Sequence, residues 1–133
     1  MKKFIFIFLL TVLNIFANNS YEVKLYEKIL PNIFDKKVLK VFIDKNMKDI
    51  LQYSDKFKIV KNCNDADLII GNQTLPTDCK KPRFSNSYRC FLKCKNSFGA
   101  FYWRKGRPQI KFKIKEIERF NLVLPNSLRK YSQ

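Results

Sequence analysis

Apolar residues between Tyr21 and Asp35 recur in pairs every four positions, which is the spacing of one face of an α-helix. Ser20 lies directly before this pattern and is a suitable N-cap. Pro31 lies inside the pattern, and because proline lacks a backbone N–H it should kink or end the helix. The spacing therefore predicts an amphipathic helix over residues 21–35 that is interrupted near Pro31.

Three short apolar segments follow this helix and predict β-strands. We expect these strands at residues 38–43, 57–60 and 67–71, and a short helix at residues 44–53, where three apolar residues share one face. Strand, helix and strand at this spacing are typical of a βαβ unit, in which the strands are parallel and the crossover is right-handed.

The segment at residues 72–95 is irregular and holds two prolines and three of the four cysteines. We expect one strand within it, at residues 88–93. Beyond it, residues 99–103 and 109–114 form the arms of a predicted β-hairpin, joined by the basic turn Arg104–Pro108. The second arm alternates apolar and basic side chains, as a strand with one face in water does.

The chain closes with a predicted helix at residues 116–121, an extended segment at residues 122–125, and a last helical turn that Pro125 can open. A length of 133 residues fits one domain. The sequence therefore predicts a single small α/β domain, three-layer-like, with a mixed sheet flanked by helices and stapled by disulfides.

The first 17 residues have the pattern of a secretory signal peptide. Lys2 and Lys3 precede an apolar run, and Ala17 supplies a small residue at the expected cleavage point. The run is shorter than the ~20 residues that a membrane span needs, although an uncleaved N-terminal anchor is the alternative. We therefore expect residues 18–133 to form a single periplasmic domain with no stable membrane span after cleavage.

Four cysteines, Cys63, Cys79, Cys90 and Cys94, all lie in the part of the chain expected to be exported. An even number of cysteines in an oxidising compartment suggests two disulfides. The favoured pairing closes a short loop between Cys90 and Cys94 and leaves Cys63 to meet Cys79. The alternatives link Cys63 to one of the later pair, or hold a zinc ion with four thiolates, although paired C-x2-C spacing is absent.

The charge of the chain is strongly basic, with 27 Lys and Arg against 11 Asp and Glu and a formal net charge of +16. Such charge favours anionic partners, but only six of these residues are Arg, the side chain preferred for phosphate, and an exported protein would not meet nucleic acid. The chain has no His, which removes the commonest general base and metal ligand. This composition disfavours most hydrolase chemistry, and we assign no catalytic residue, no metal and no cofactor.

The most distinctive local composition lies at the expected hairpin turn. Two aromatic residues, Tyr102 and Trp103, stand beside three cations, Arg104, Lys105 and Arg107. Trp, Tyr and Arg are the residues most often found as energetic anchors of protein interfaces. These five residues are the candidate surface for a partner or an anionic ligand, and the alternative is a core Trp beside an ordinary basic turn.

The order of elements resembles that of the YfiR-like family of small periplasmic regulators. The resemblance is carried by the glycine-containing segment 98–101, the I-x-F-x-I pattern within residues 109–114, the apolar segment 122–124 with the residues that follow it, and Cys63 ahead of the third strand. It implies a non-enzymatic protein that binds and restrains an inner-membrane signalling protein with a periplasmic domain, either a diguanylate cyclase or a sensor histidine kinase. It also implies release by redox or envelope stress.

Two other functions fit the composition. A small binding protein for an anionic ligand would need a pocket near the carboxyl ends of the strands, with Arg side chains converging there. A cationic envelope-binding protein would instead bind anionic lipid in a manner that weakens with salt.

Overall fold

The computed structural model describes residues 21–43 and 51–133, and these residues form a six-stranded mixed sheet with helices on both faces. The strand order is β2-β1-β3-β4-β5-β6, in which the first five are parallel and β6 runs antiparallel to β5. The strands are β1 (Leu39–Ile43), β2 (Phe57–Ile59), β3 (Leu68–Ile70), β4 (Arg83–Ser85), β5 (Ser97–Arg104) and β6 (Arg107–Phe112). The predicted fold class, a small α/β domain with a mixed sheet, is confirmed.

Three α-helices and two 3-10 helices lie wholly within the described part of the chain. These are α1 (21–34), α2 (Tyr88–Lys93), α3 (Ile114–Arg119), and the 3-10 helices Cys63–Asp65 and Asn126–Tyr131. The end of the chain returns to the sheet, where the Gln133 N–H donates to the Phe112 carbonyl at 2.7 Å. Of the helices in residues 21–43 and 51–133, none has the length and apolar character needed to cross a bilayer.

The helix α1 covers one face of the sheet and continues through Pro31 for one more turn, so Pro31 does not end it. The helix ends instead at Asp35, which has a φ of 53°. The Lys36 N–H then donates to the Pro31 carbonyl at 3.1 Å, which is the long hydrogen bond of a Schellman motif. The carbonyl of Pro31 therefore accepts the bond that closes the helix.

The main core lies between α1, α3 and this face of the sheet, and it is rich in aromatic rings. Tyr26 of α1 meets Phe84 and Phe101 edge-on, with ring centroids 5.8 and 6.0 Å apart. Burial, and to a smaller extent the charge of Glu22, raises the pKa of Tyr26, so its phenol stays neutral. The buried members of this core are Tyr26, Ile29, Leu30, Ile33, Leu39, Val41, Leu51, Phe57, Leu68, Ile70, Phe84, Phe98, Phe101, Phe112, Ile117 and Leu124.

Three strands predicted from the first half of the chain are confirmed as β1, β2 and β3, and β1 pairs in parallel with both β2 and β3. The helix predicted at residues 44–53 lies mostly outside the described residues, although Leu51 is helical and fully buried. The signal peptide predicted at residues 1–17 and the N-cap at Ser20 also lie outside them.

The predicted strand at residues 88–93 is wrong, because these residues form α2. The Ser87 side chain caps this helix by accepting from the Cys90 N–H at 3.1 Å. Cys90 and Phe91 are its buried residues, and two adjacent buried positions in a six-residue segment do not distinguish a helix from a strand. The strand of this region is instead β4, which the sequence analysis missed because it is only three residues long and begins with a charged residue.

The hairpin of β5 and β6 is confirmed, but its first arm is longer than predicted, its second arm begins and ends two residues earlier, and its turn is shorter. Only Lys105 and Gly106 lie between the strands, with φ values of 51° and 76°. Positive φ at both central residues is the property of a type I′ turn, which matches the twist of the strands it joins. A two-residue turn therefore holds the basic tip rigidly at the end of the ladder.

A register shift between β4 and β5 lies directly beside Gly99. A Cβ atom at Gly99 would lie 2.9 Å from the Phe112 ring, 2.9 Å from the Phe84 ring and 3.0 Å from the Lys111 carbonyl oxygen. The two rings fill the space that a side chain would occupy, so the core can close only over glycine.

Two disulfides lie on the face of the sheet opposite α1. Cys63 is joined to Cys79, with Cα atoms 5.9 Å apart, and Cys90 is joined to Cys94, with Cα atoms 4.8 Å apart. This is the pairing that the sequence analysis favoured, and in it no thiolate is left to bind zinc. The first disulfide ties the 3-10 helix Cys63–Asp65 to the loop between β3 and β4, and the second closes the end of α2. With α1 on one face and these elements on the other, the domain has three layers.

We predict that Gly99→Ala lowers the free energy of unfolding by about 1–3 kcal/mol, because the added methyl must displace two buried rings. Gly106→Asn is the control, since no atom lies within 4 Å of its Cβ position and Asn tolerates a positive φ. Urea unfolding of both variants measures the difference. Equal midpoints for the two variants would contradict this account of Gly99.

We predict that removing the two disulfides has unequal costs. The Cys63–Cys79 link spans 16 residues and the Cys90–Cys94 link spans 4. Loop-closure entropy then gives losses of about 3 and about 2 kcal/mol for the paired Cys→Ser variants. Peptide mapping of the unreduced protein checks the pairing, and urea unfolding checks the order of the losses. A peptide linking Cys63 to Cys90 or Cys94 would refute both the pairing and the predicted order of the stability losses.

Candidate functional site

The five residues of the candidate surface lie at the end of the β5–β6 hairpin, but the structure divides them between the two faces of the sheet. Successive strand residues point to opposite faces. Tyr102 therefore faces α2, where it is buried and its ring centroid lies 5.9 Å from that of Tyr88. Trp103 faces α1. We use the name hairpin tip for Trp103, Arg104, Lys105 and Arg107, and we exclude Tyr102 because it is buried.

Trp103 is held in a fixed orientation while remaining 41% exposed. Its indole Nε1 donates to the Glu22 carboxylate at 2.9 Å, which links the hairpin tip to the first described turn of α1. Its ring centroid lies 5.8 Å from that of Phe101 and 6.0 Å from that of Tyr21, and the Tyr21 residue is itself 44% exposed. Trp103 and Tyr21 thus form an aromatic ledge with one side in the core and the other in water.

The three cations of the hairpin tip follow Trp103 along the chain, and Arg104 and Arg107, which pair across the two strands, point to the face opposite Trp103. Arg104, Lys105 and Arg107 are all exposed, and neither of the two ion pairs found among the described residues involves them. Burial raises the pKa of Tyr102, and the charge of Tyr88 adds to this effect while Arg104 opposes it. The phenol therefore stays neutral, and the charge of the tip comes from its cations.

A second candidate site, which the sequence analysis missed, lies on the α2 face of the sheet and is built around Arg83. The side chain of Arg83 is only 5% exposed. Its Nη1 donates to the Gly71 carbonyl at 2.8 Å and its Nη2 to the Gln73 carbonyl at 2.9 Å. Its Nε has no hydrogen-bond partner among the described residues. Burial lowers the pKa of Arg83 from its ordinary value, but a guanidinium of this kind remains charged at neutral pH.

Arg83 lines a cavity of about 500 Å³, which we call the Arg83 cavity. One wall is the loop that returns from β3 to β4, and another is the segment between α2 and β5. Cys79 and Cys94 both line it, so each disulfide fixes one wall. The lining residues are Asn72, Gln73, Thr74, Leu75, Pro76, Thr77, Cys79, Lys80, Arg83, Cys94, Lys95, Asn96 and Arg119.

The polar groups of the Arg83 cavity are cationic or neutral. Arg119 donates to Glu116 and to the Asn96 side chain, while Lys80 and Lys95 are exposed at the opening. The side-chain Nε2 and Oε1 of Gln73 are buried without a partner among the described residues. The arrangement can therefore supply hydrogen bonds and positive charge to a bound group.

This cavity differs from the pocket expected for an anion-binding protein. We expected it near the carboxyl ends of the strands, but Arg83 begins β4 and Asn96 directly precedes β5, so it lies beside the amino ends of these two strands. Its one sequence signal is the scarcity of Arg in a Lys-rich chain, together with the position of Arg83 between Pro82 and Phe84. An Arg in so apolar a context marks a charge that is held inside the fold.

Comparison of the chain with protein-family models, with curated proteins and with solved structures finds no match for it. The resemblance to the YfiR-like family therefore stays a prediction.

Proposed function

We propose that this protein is a non-enzymatic periplasmic regulator that uses its hairpin tip to bind and restrain an inner-membrane signalling protein. The observation that carries this proposal is the half-exposed Trp103, which is held by Glu22 at a hairpin end that also carries three exposed cations without a described ion pair. The resemblance to the YfiR-like family supplies the partner class, a diguanylate cyclase or a sensor histidine kinase with a periplasmic domain.

The geometry of the tip favours protein docking for two physical reasons. An aromatic ring that is already fixed loses little conformational entropy on binding, so Trp103 can act as a rigid anchor. Three exposed cations at the same hairpin end favour a partner surface of negative charge, which raises the association rate and excludes basic surfaces. The expected partner therefore presents an apolar recess rimmed by Asp and Glu.

The same geometry gives a route for redox control, as the resemblance implies. Tyr102 packs on Tyr88 of α2, and the Cys90–Cys94 disulfide closes the end of that helix. Reduction of this disulfide would loosen α2 and the strand end that it supports. The population of binding-competent tips would then fall.

We predict that Trp103→Ala abolishes partner capture in intact cells. A tagged protein is crosslinked in the envelope, and the captured proteins are identified for the wild type and for the variant. A single inner-membrane cyclase or kinase is expected with the wild type, and its recovery should fall about tenfold or more with Trp103→Ala, as for a central interface anchor.

Tyr53→Ala is the matched control for this experiment. Tyr53 is an exposed aromatic residue, 87% accessible, which lies shortly before the strand β2 at the opposite edge of the sheet. Its loss should leave capture unchanged. Equal capture by both variants, or recovery of lipid without a signalling protein, would refute the proposal.

A further inference from the structure

We propose that the Arg83 cavity is a binding site for a small organic anion whose carboxylate or phosphate group accepts a hydrogen bond from Arg83. This inference does not depend on the hairpin tip or on the partner proposed above. It rests on four features of the cavity: an uncompensated buried charge, an unpaired buried amide, the absence of acidic residues from its lining, and its size.

The buried charge of Arg83 is the first of these features. A buried guanidinium is normally paired with a carboxylate, since desolvation of a lone charge is costly. Two backbone carbonyls satisfy Nη1 and Nη2 of Arg83, while Nε has no described partner, and neither described ion pair includes this residue. Arg83 lines the cavity, so an oxyanion bound there would supply the missing negative charge.

The residues around Arg83 also favour a bound anion. Lys80, Lys95 and Arg119 line the cavity with it, and no Asp or Glu of residues 21–43 and 51–133 is among the lining residues. Within the same residues, Arg119 is the one cation of the four with an ion-pair partner, Glu116. Four cations around one concave surface concentrate a positive potential that draws anions in.

The Gln73 side chain adds hydrogen-bonding specificity. Its backbone carbonyl holds Arg83, and Gln73 is one of the residues that line the cavity. Both polar atoms of its side-chain amide are buried without a partner among the described residues, and such atoms are rare in folded proteins. A ligand with a donor and an acceptor beside its anionic group would pair both of them on rotation of the amide into the cavity.

The size of the cavity indicates the class of ligand. About 500 Å³ lies within the range of small-molecule sites and exceeds what a bare inorganic ion fills. Leu75 and Pro76 give the lining an apolar part as well. These properties fit an organic anion of modest size, and the two disulfides hold the walls in place before it binds.

The test is a titration of the purified, oxidised protein with two probes, citrate and inorganic phosphate, at constant ionic strength. Isothermal titration gives the affinity, and the NMR signal of the Arg83 Nε–H reports whether that group is contacted. We expect at least one probe to bind and to shift this signal. Stronger binding of citrate identifies the preferred group as a carboxylate, and stronger binding of phosphate identifies it as a phosphate.

Two variants keep the test independent of folding. Arg83→Gln should weaken binding about tenfold or more, because a charge-assisted hydrogen bond is lost, but it removes two hydrogen bonds of the loop and could unfold it. The double variant Lys80→Gln/Lys95→Gln changes only exposed side chains and should weaken binding about threefold to tenfold.

The matched control is Lys58→Gln/Lys61→Gln, which removes the same charge from exposed residues in and just after the edge strand β2. Its affinity should equal that of the wild type. The proposal is overturned if neither probe binds with a Kd below about 10 mM. It is also overturned if the Arg83 Nε–H signal does not move, or if both double variants bind equally.

Discussion

The packing of Phe84 is the interaction on which the rest of the fold depends. Its ring lies 5.8 Å from that of Tyr26 on α1, 5.6 Å from Phe98 on β5 and 6.2 Å from Phe112 on β6. Position 99 admits no side chain, because the rings of Phe84 and Phe112 occupy the space that a side chain would need. One residue in the centre of a three-residue strand therefore sets the position of the long helix, the bulge and the hairpin.

The neighbours of Phe84 in β4 perform a different task, because alternate strand residues point to the opposite face. Ser85 bonds the Ser97 hydroxyl at 2.8 Å and donates to Cys90 Sγ at 3.3 Å, while Arg83 reaches back to the loop after β3. The aromatic core on one face thus fixes the strand that presents a guanidinium on the other. One face of the strand β4 therefore contributes to the aromatic core, and its other face contributes to the candidate binding site.

The parts of the fold that the sequence predicted are those with clear periodicity. The strands β1 and β3 are apolar runs, and the hairpin arm β6 alternates, so local pattern was sufficient. The segments β4 and α2 are too short to show a hydrophobic period. The side chain of Ser87 caps α2, and parallel pairing with β3 and β5 fixes β4. Composition located the hairpin tip, although it could not show that Tyr102 faces the opposite side from Trp103. The Arg83 cavity combines three segments distant in sequence, and only tertiary packing brings them together.

The order of the disulfides along the chain has a consequence for how the protein matures. Cys63 joins the next cysteine, Cys79, and Cys90 joins the next, Cys94, so the two loops neither overlap nor enclose one another. A catalyst that links each thiol to the following one, in order of emergence, produces the native bonds at the first attempt. Maturation then needs an oxidant but no isomerase to unscramble crossed bonds, and each staple can close before the next segment of chain arrives.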